Sequence, residues 1–277
     1  PDQSIVFADG LEKPQGLAWH KGGLFVNVEG TLLRLEDTDG DYQADETNII
    51  KEGFPRETYA FHRNHGIVVG DDGRLYIGVG ATSDGSPETH PLGARVVSML
   101  PDGSDLRDFA TGLRNPYGIV QEPGGDGFFA VENGPSTCVT SDCPILRADV
   151  PEELNYLREG NDYGFPYYFG VPPQDSNTMP PMATLFEHSA PTGIVIYDGD
   201  SLPSATKGQL FFSMWARGEI WRTNLFKIDE NHYATSPAFF ASGIPGPSAL
   251  INSPYGGLFV AAYSANAIYH IGALPGQ

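Results

Sequence analysis

Apolar residues along this chain come in short runs broken by glycine and proline, and the runs repeat as a unit. Each unit opens on a turn that leads into a β-run, then a tight turn, a second β-run and a third. The five units begin at Pro14–Trp19 with Gly23–Val26, His65–Val69 with Gly73–Ile77, Pro116–Val120 with Gly127–Ala130, Pro191–Val195 with Gly208–Phe212, and Ser248–Ile251 with Gly257–Val260. Equivalent positions Gly16, Gly66, Gly118, Gly193 and Ala249 are separated by 50, 52, 75 and 56 residues. Runs this short, rich in β-branched and aromatic residues, favour strands, and no sustained helical periodicity competes with them. Self-similarity at a period of tens of residues predicts radially repeated sheets, each burying its faces against its neighbours. The expected fold class is all-β: a β-propeller with five blades counted, six being the alternative, formed by residues 1–277 as one domain.

Two departures from strict repetition carry expectations of their own. The long third interval holds an excursion at about 136–187, rich in Pro, Asn and Asp, which reads as a loop insertion of the lid or binding-loop kind. Within it, Pro151–Asn155 could open at most one helical turn. At the start, Ser4–Ala8 resembles the strand Ala238–Ala241 that precedes a later turn, yet has no blade of its own. It is expected to supply the outer strand of the last blade, closing the ring and removing a free sheet edge.

Composition narrows the partners. Against 16 basic side chains stand 35 acidic ones, for a formal net charge of -19. That disfavours nucleic acid and anionic membrane, neither of which neutralises an acidic surface. No apolar run approaches the length that spans a bilayer, so a soluble chain without membrane insertion is expected. The start at Pro1 reads as a processed or trimmed product. Cys138 and Cys143, the only cysteines, read as a local disulfide in an exported protein, two free thiols being the alternative. The expected location is periplasmic or extracellular.

Candidate chemistry sits in the turns. Asp37, Asp39, Asp41 and Asp45 alternate around a glycine, with the Gln43 carbonyl between them, and several oxygens on one tight loop suit calcium. No Glu follows at the twelfth position and no helices flank the loop, so this is not an EF-hand; a structural ion pinning a loop between two blades is expected. His62 precedes a blade strand, where an imidazole can face a central funnel and abstract a proton near neutral pH. Its neighbour His65 has the same opportunity. Arg114 and Asn115 at a blade entrance offer a guanidinium and an amide to an anionic or quinonoid ligand. Glu132–Pro135 at a strand exit can present carbonyls to a cation.

Taken in order, the stretches His62–Tyr76, Gly112–Gly118, Glu153–Asn155 with Asp162–Pro166, and Pro191–Gly199 resemble the glucose/sorbosone dehydrogenase family of β-propeller quinoproteins, over about Phe7 to Ile271. Met214–Arg217 is similar to a stretch of the sorbosone branch. The resemblance implies His62, not His65, as the base that takes a sugar hydroxyl proton while hydride passes to pyrroloquinoline quinone. It implies Arg114, Asn115 and Arg217 as cofactor contacts, Gly134 and Pro135 as carbonyl ligands of the calcium that polarises the quinone, and Glu153 as a ligand of a second, structural calcium. A small sugar or polyol substrate and a redox partner follow from the same likeness. The chain departs from the family at Gly243–Ser248, where cations are usual and none stands, and at Ala216, where a polar or basic residue is usual. Those departures keep two other readings in view: a non-catalytic binding or assembly propeller, and a metal-dependent lactonase-type hydrolase using Glu132 and Asn133.

Overall fold

The computed structural model describes residues 4–56, 62–135 and 150–273. Leu17–His20 (β1), Gly23–Val28 (β2), Thr31–Glu36 (β3) and Glu46–Glu52 (β4) form a first antiparallel sheet in sequence order. Asn64–Val69 (β5), Leu75–Val79 (β6), Arg95–Met99 (β7) and Arg107–Thr111 (β8) form a second. The third runs through Pro116–Gln121 (β9), Phe128–Glu132 (β10), Glu152–Leu157 (β11) and Ala183–Leu185 (β12). The fourth begins with Pro191–Ile196 (β13), Leu210–Met214 (β14) and Glu219–Thr223 (β15). A small hairpin, Phe226–Lys227 (β16) with Tyr233–Ala234 (β17), then interrupts the sheet before Ala238–Ser242 (β18) completes it. The fifth comprises Pro247–Asn252 (β19), Leu258–Ala262 (β20) and Ala267–Ile271 (β21). The five predicted units are thus the five blades of a β-propeller.

Why the blades stack is visible in the strands themselves. Alternate residues point to opposite faces, so Ile77 on β6 packs with Phe25 and Leu32 of the first blade, whereas its neighbour Tyr76 packs with Ile119 and Phe128 of the third. The same division puts Phe129 and Val131 against Ile194, Leu210 and Phe212 of the fourth blade, and Phe211 against Leu250 and Val260 of the fifth. Burial of a Phe, Leu or Ile side chain is worth about 1.5–3 kcal/mol, so these four interblade layers are the core of the fold.

The repeat glycine has a physical cause. A methyl group at Gly16 would strike the His65 carbonyl, one at Gly66 the Tyr117 carbonyl, one at Gly118 the Thr192 carbonyl, and one at Gly193 the backbone of Ala249. Each blade's inner strand leans on the next, and only a residue without a side chain permits that approach. Position 249 is alanine and exposed. On the far side of the seam, Leu17 and Trp19 of β1 are also exposed, at 59% and 60%. The fifth and first blades therefore share no layer like the other four among the described residues.

Four sequence expectations change here. Ser4–Ala8 forms no strand and does not complete the last blade, which has three strands among the described residues. A nearer apolar surface captures it: Phe7, Ala8 and Leu11 cover Val26, Val28 and Leu35, and the Phe7 carbonyl accepts from the Ala44 amide at 2.8 Å. The expected insertion is not all loop, because β11 and β12 lie within it and complete the third blade. Pro151–Asn155 leads into strand β11 and not a helical turn, since every residue of β11 is buried between two interblade layers. The acidic loop lies between β3 and β4 of one blade and links no two blades. Cys138 and Cys143 lie outside the described residues.

Candidate functional site

The loops that enter the inner strands of the second and third blades bring the chemistry together. His62, two residues before β5, is 4% exposed and its Nδ1 lies 3.1 Å from the Ala81 carbonyl. Facing a carbonyl, Nδ1 must carry the hydrogen, which makes Nε2 the basic nitrogen of the ring. Burial, then the charge of Arg114, pushes the imidazole from the usual 6.5 down to about 2. His62 is therefore neutral throughout the physiological range. A side chain at Gly80 would meet both the Asn115 amide and His62, so these two groups flank one backbone strand end.

Arg114 is fully buried and spends its guanidinium within the protein. Nε donates to the Asp84 carbonyl at 2.7 Å, Nη1 to the Asn133 carbonyl at 2.8 Å, and Nη2 pairs with the Asp84 carboxylate. Its backbone N–H donates to Glu132 Oε1 at 2.5 Å. Asn115 donates from Nδ2 to Asn133 Oδ1 at 2.8 Å, and its own Oδ1 is buried with no hydrogen-bond partner. A buried carbonyl oxygen without a donor is costly unless something binds it.

Beside this group, the sheet register of the third blade sets Glu132 of β10 directly opposite Glu153 of β11. Asn155 donates from Nδ2 to both, at 2.9 and 3.1 Å, and Gly170 N–H donates to Glu153 Oε1. Like charges facing each other across a ladder repel. Burial and the neighbouring carboxylate hold Glu132 well above the ordinary range, and burial raises Glu153 to about 7. Glu152 points the other way and accepts from the Gly134 amide at 2.6 Å and the Ala190 amide at 3.1 Å, with burial raising it to about 7. It fastens the Gly134–Pro135 turn to the entrance of the fourth blade.

His62, Arg114, Asn115, Gly134 and Glu153 thus belong to one contiguous network, with Pro135 next to Gly134 in it. Arg217 does not: it pairs with Glu219 at 2.8 Å and lies over the Phe186 ring at 4.6 Å. His65 is a strut, accepting from Arg63 N–H at 3.1 Å and stacking on Tyr117 at 4.3 Å. In the β3–β4 loop, Asp37, Asp39 and Asp45 bring one carboxylate oxygen each within 4.8 Å of one another. Asp41 stands outside this group and accepts from Gln43 N–H and Nε2 at 2.8 and 2.9 Å.

The donor set fits a hard cation: two buried carboxylates, an orphaned amide oxygen and a turn whose carbonyls are pinned in place. An anionic quinone needs unneutralised cations as well, and Arg114 and Arg217 are both paired. Sequence reasoning missed Arg63, the neighbour of His62, whose Nε is buried without a partner. Among the described residues it joins no salt bridge, and its charge is felt at Tyr117 and Glu29. The signal that could have found it is adjacency to the candidate base.

The chain shares its fold with the quinone (PQQ)-bound aldose sugar dehydrogenase of Streptomyces coelicolor, at TM-score 0.64 and 20% identity, over 98% of this chain and 93% of that one. The soluble aldose sugar dehydrogenase of Escherichia coli matches at 0.62 and 15%, over 92% and 94%. A calcium structure of a Trichoderma reesei carbohydrate-active enzyme of family AA12 matches at 0.68 and 13%, over 91% and 79%. No curated protein matches the chain by sequence. The model of the domain of unknown function DUF7133 matches residues 1–276, and the chain belongs to that family.

Proposed function

We propose that this protein is a quinone-dependent sugar or polyol dehydrogenase with calcium as its second cofactor. The observation that carries the reading is the network in which a neutral, buried His62 stands beside an orphaned amide oxygen and a turn of fastened carbonyls. The shared fold with sugar dehydrogenases supports it.

His62 Nε2 takes the proton of the substrate hydroxyl, and the Ala81 carbonyl keeps the ring in the tautomer that can do so. Gly134 and Pro135 would hold the calcium through their carbonyls, Asn115 and Arg63 would hold the quinone, and Arg114 keeps the Asn133 carbonyl and Asp84 in register behind them. When bound, the quinone supplies the hydride acceptor and the calcium polarises it. Glu132 and Glu153 would hold a second calcium, which relieves their mutual repulsion, and the Asp37–Asp39–Asp45 group a third, structural one. Electrons then leave to a redox partner, and the protein works outside the cytoplasm, in the periplasm or extracellularly.

Reconstitution with pyrroloquinoline quinone and calcium, followed by dye reduction with a panel of aldoses and polyols, tests this reading. Cofactor absorbance and substrate-dependent turnover are expected. Lactone hydrolysis without quinone, abolished by chelation, would replace it with a hydrolase. Neither cofactor uptake nor turnover would leave a binding propeller.

A further inference from the structure

Four blades end in an outer strand that resists further pairing, and the fifth does not. Strand β4 carries Glu46, Lys51 and Glu52, and the register of its pairing shifts at Leu32/Leu33. Strand β8 carries Arg107 and Asp108, with a shift at Val96/Val97. Strand β12 is three residues long, and the pairing of β18 is broken at Ile220/Trp221. Charges, bulges and shortness are the usual ways of blunting an exposed edge. Strand β21 has none of them. It pairs with β20 in unbroken register from Ala267 to Ile271, holds no charged residue and no proline, and has no fourth strand beyond it among the described residues. Ile268 is 74% exposed and Tyr269 40%. On the same blade a groove of about 640 Å³ opens between Ser248, Ala261, Tyr263 and Ile268.

Charge decides what fits this edge. From Asn231 to Gln277 the sequence contains no Asp, Glu, Lys or Arg, so the whole net charge of -19 resides in the preceding residues. Two copies of so acidic a chain repel each other over most approaches. The fifth blade carries no carboxylate of its own, so two copies meeting on its outer strand set no acids of that strand against each other, and an identical neutral surface is its natural complement.

We propose that β21 is a homotypic interface: two copies pair β21 with β21 antiparallel about a twofold axis, joining two three-stranded blades into one six-stranded sheet. With the axis at the strand centre, Tyr269 meets its own mate, Ile268 faces His270, and Ala267 faces Ile271. Such an interface is isologous, the same patch serving both copies, and it supplies each blade with the fourth strand that the others have. The ladder gives affinity, and the exposed Ile268 and Tyr263 give apolar contact beside it.

Two measurements test the pairing independently. Sedimentation across a concentration range should show a monomer–dimer equilibrium, weakened at least tenfold by Tyr269→Lys, which sets like charges opposite each other, with no change in the melting temperature measured at concentrations where both proteins are monomeric. Tyr269→Cys, oxidised beside unsubstituted protein as the control for Cys138 and Cys143, should give a covalent dimer, whereas the single variants Ile268→Cys and His270→Cys should not, and the double variant Ile268→Cys with His270→Cys should. Opposed strand residues stand about 4.5–5.5 Å apart at Cα, within disulfide reach. A monomer at every concentration, with no covalent dimer in any variant, overturns the proposal.

Discussion

The molecule holds two acidic clusters that read alike in one dimension and behave oppositely in three. In the β3–β4 loop the carboxylates stand in water, and hydrogen bonds from the Thr38 amide and hydroxyl hold Asp45 below its ordinary range. In the third blade Glu132, Glu152 and Glu153 are buried, and desolvation drives all three upward. Asp45 stays ionised with or without an ion. The second cluster must either keep protons or hold a cation. Burial, more than the number of acids, decides which cluster stores free energy for ligand binding.

The largest test of that contrast removes the buried cation next to the buried acids. Arg114→Ala deprives Asp84 and the Asn133 carbonyl of their partner, and urea denaturation should show a loss of about 3–5 kcal/mol. The next effect is a pH dependence of opposite sign to that of an ordinary carboxylate. Glu152 and Glu153 titrate near 7 in the fold and near 4.5 in the unfolded chain, so between those values the native state binds more protons. Without metal, stability should therefore be fullest below about pH 4.5, fall as pH rises towards 7, and level off above it, by a few kcal/mol in total. Calcium should flatten this slope by holding the carboxylates ionised, and a slope unchanged by calcium would show that no ion enters the cluster. Smallest is the exposed loop. Asp37→Asn with Asp45→Asn should leave the metal-free melting temperature within error and remove only that part of the calcium-induced rise that the loop contributes.

The blades were legible because their signal is local: each repeat glycine is demanded by the backbone of the following inner strand, and Phe25, Ile77, Phe129 and Phe212 alternate faces as strand residues must. Closure was not legible. Ser4–Ala8 is as apolar as a strand, but apolarity does not say which surface it will cover, and the first blade lay closer than the fifth. Strand β11 was hidden because two adjacent glutamates look solvated, whereas the register buries Glu153 opposite Glu132. Of the candidate residues, His62, Arg114, Asn115 and the Gly134 turn lie in one network. Arg217 does not, because Glu219 two residues on captures it. Arg63 was invisible, since nothing in a sequence shows which guanidinium nitrogen the fold buries without a hydrogen-bond partner.

The reading stands or falls on His62 as the proton acceptor, and a pH series on reconstituted protein, wild type beside His62→Gln, tests it most directly. The account predicts substrate-dependent turnover in the wild type with no descending limb near pH 6.5, because the imidazole stays neutral far below it. It also predicts a loss of about 10²–10⁴-fold in kcat for His62→Gln, with cofactor absorbance retained. Equal turnover in the two proteins, or none in a wild type that has bound its quinone and calcium, would contradict it.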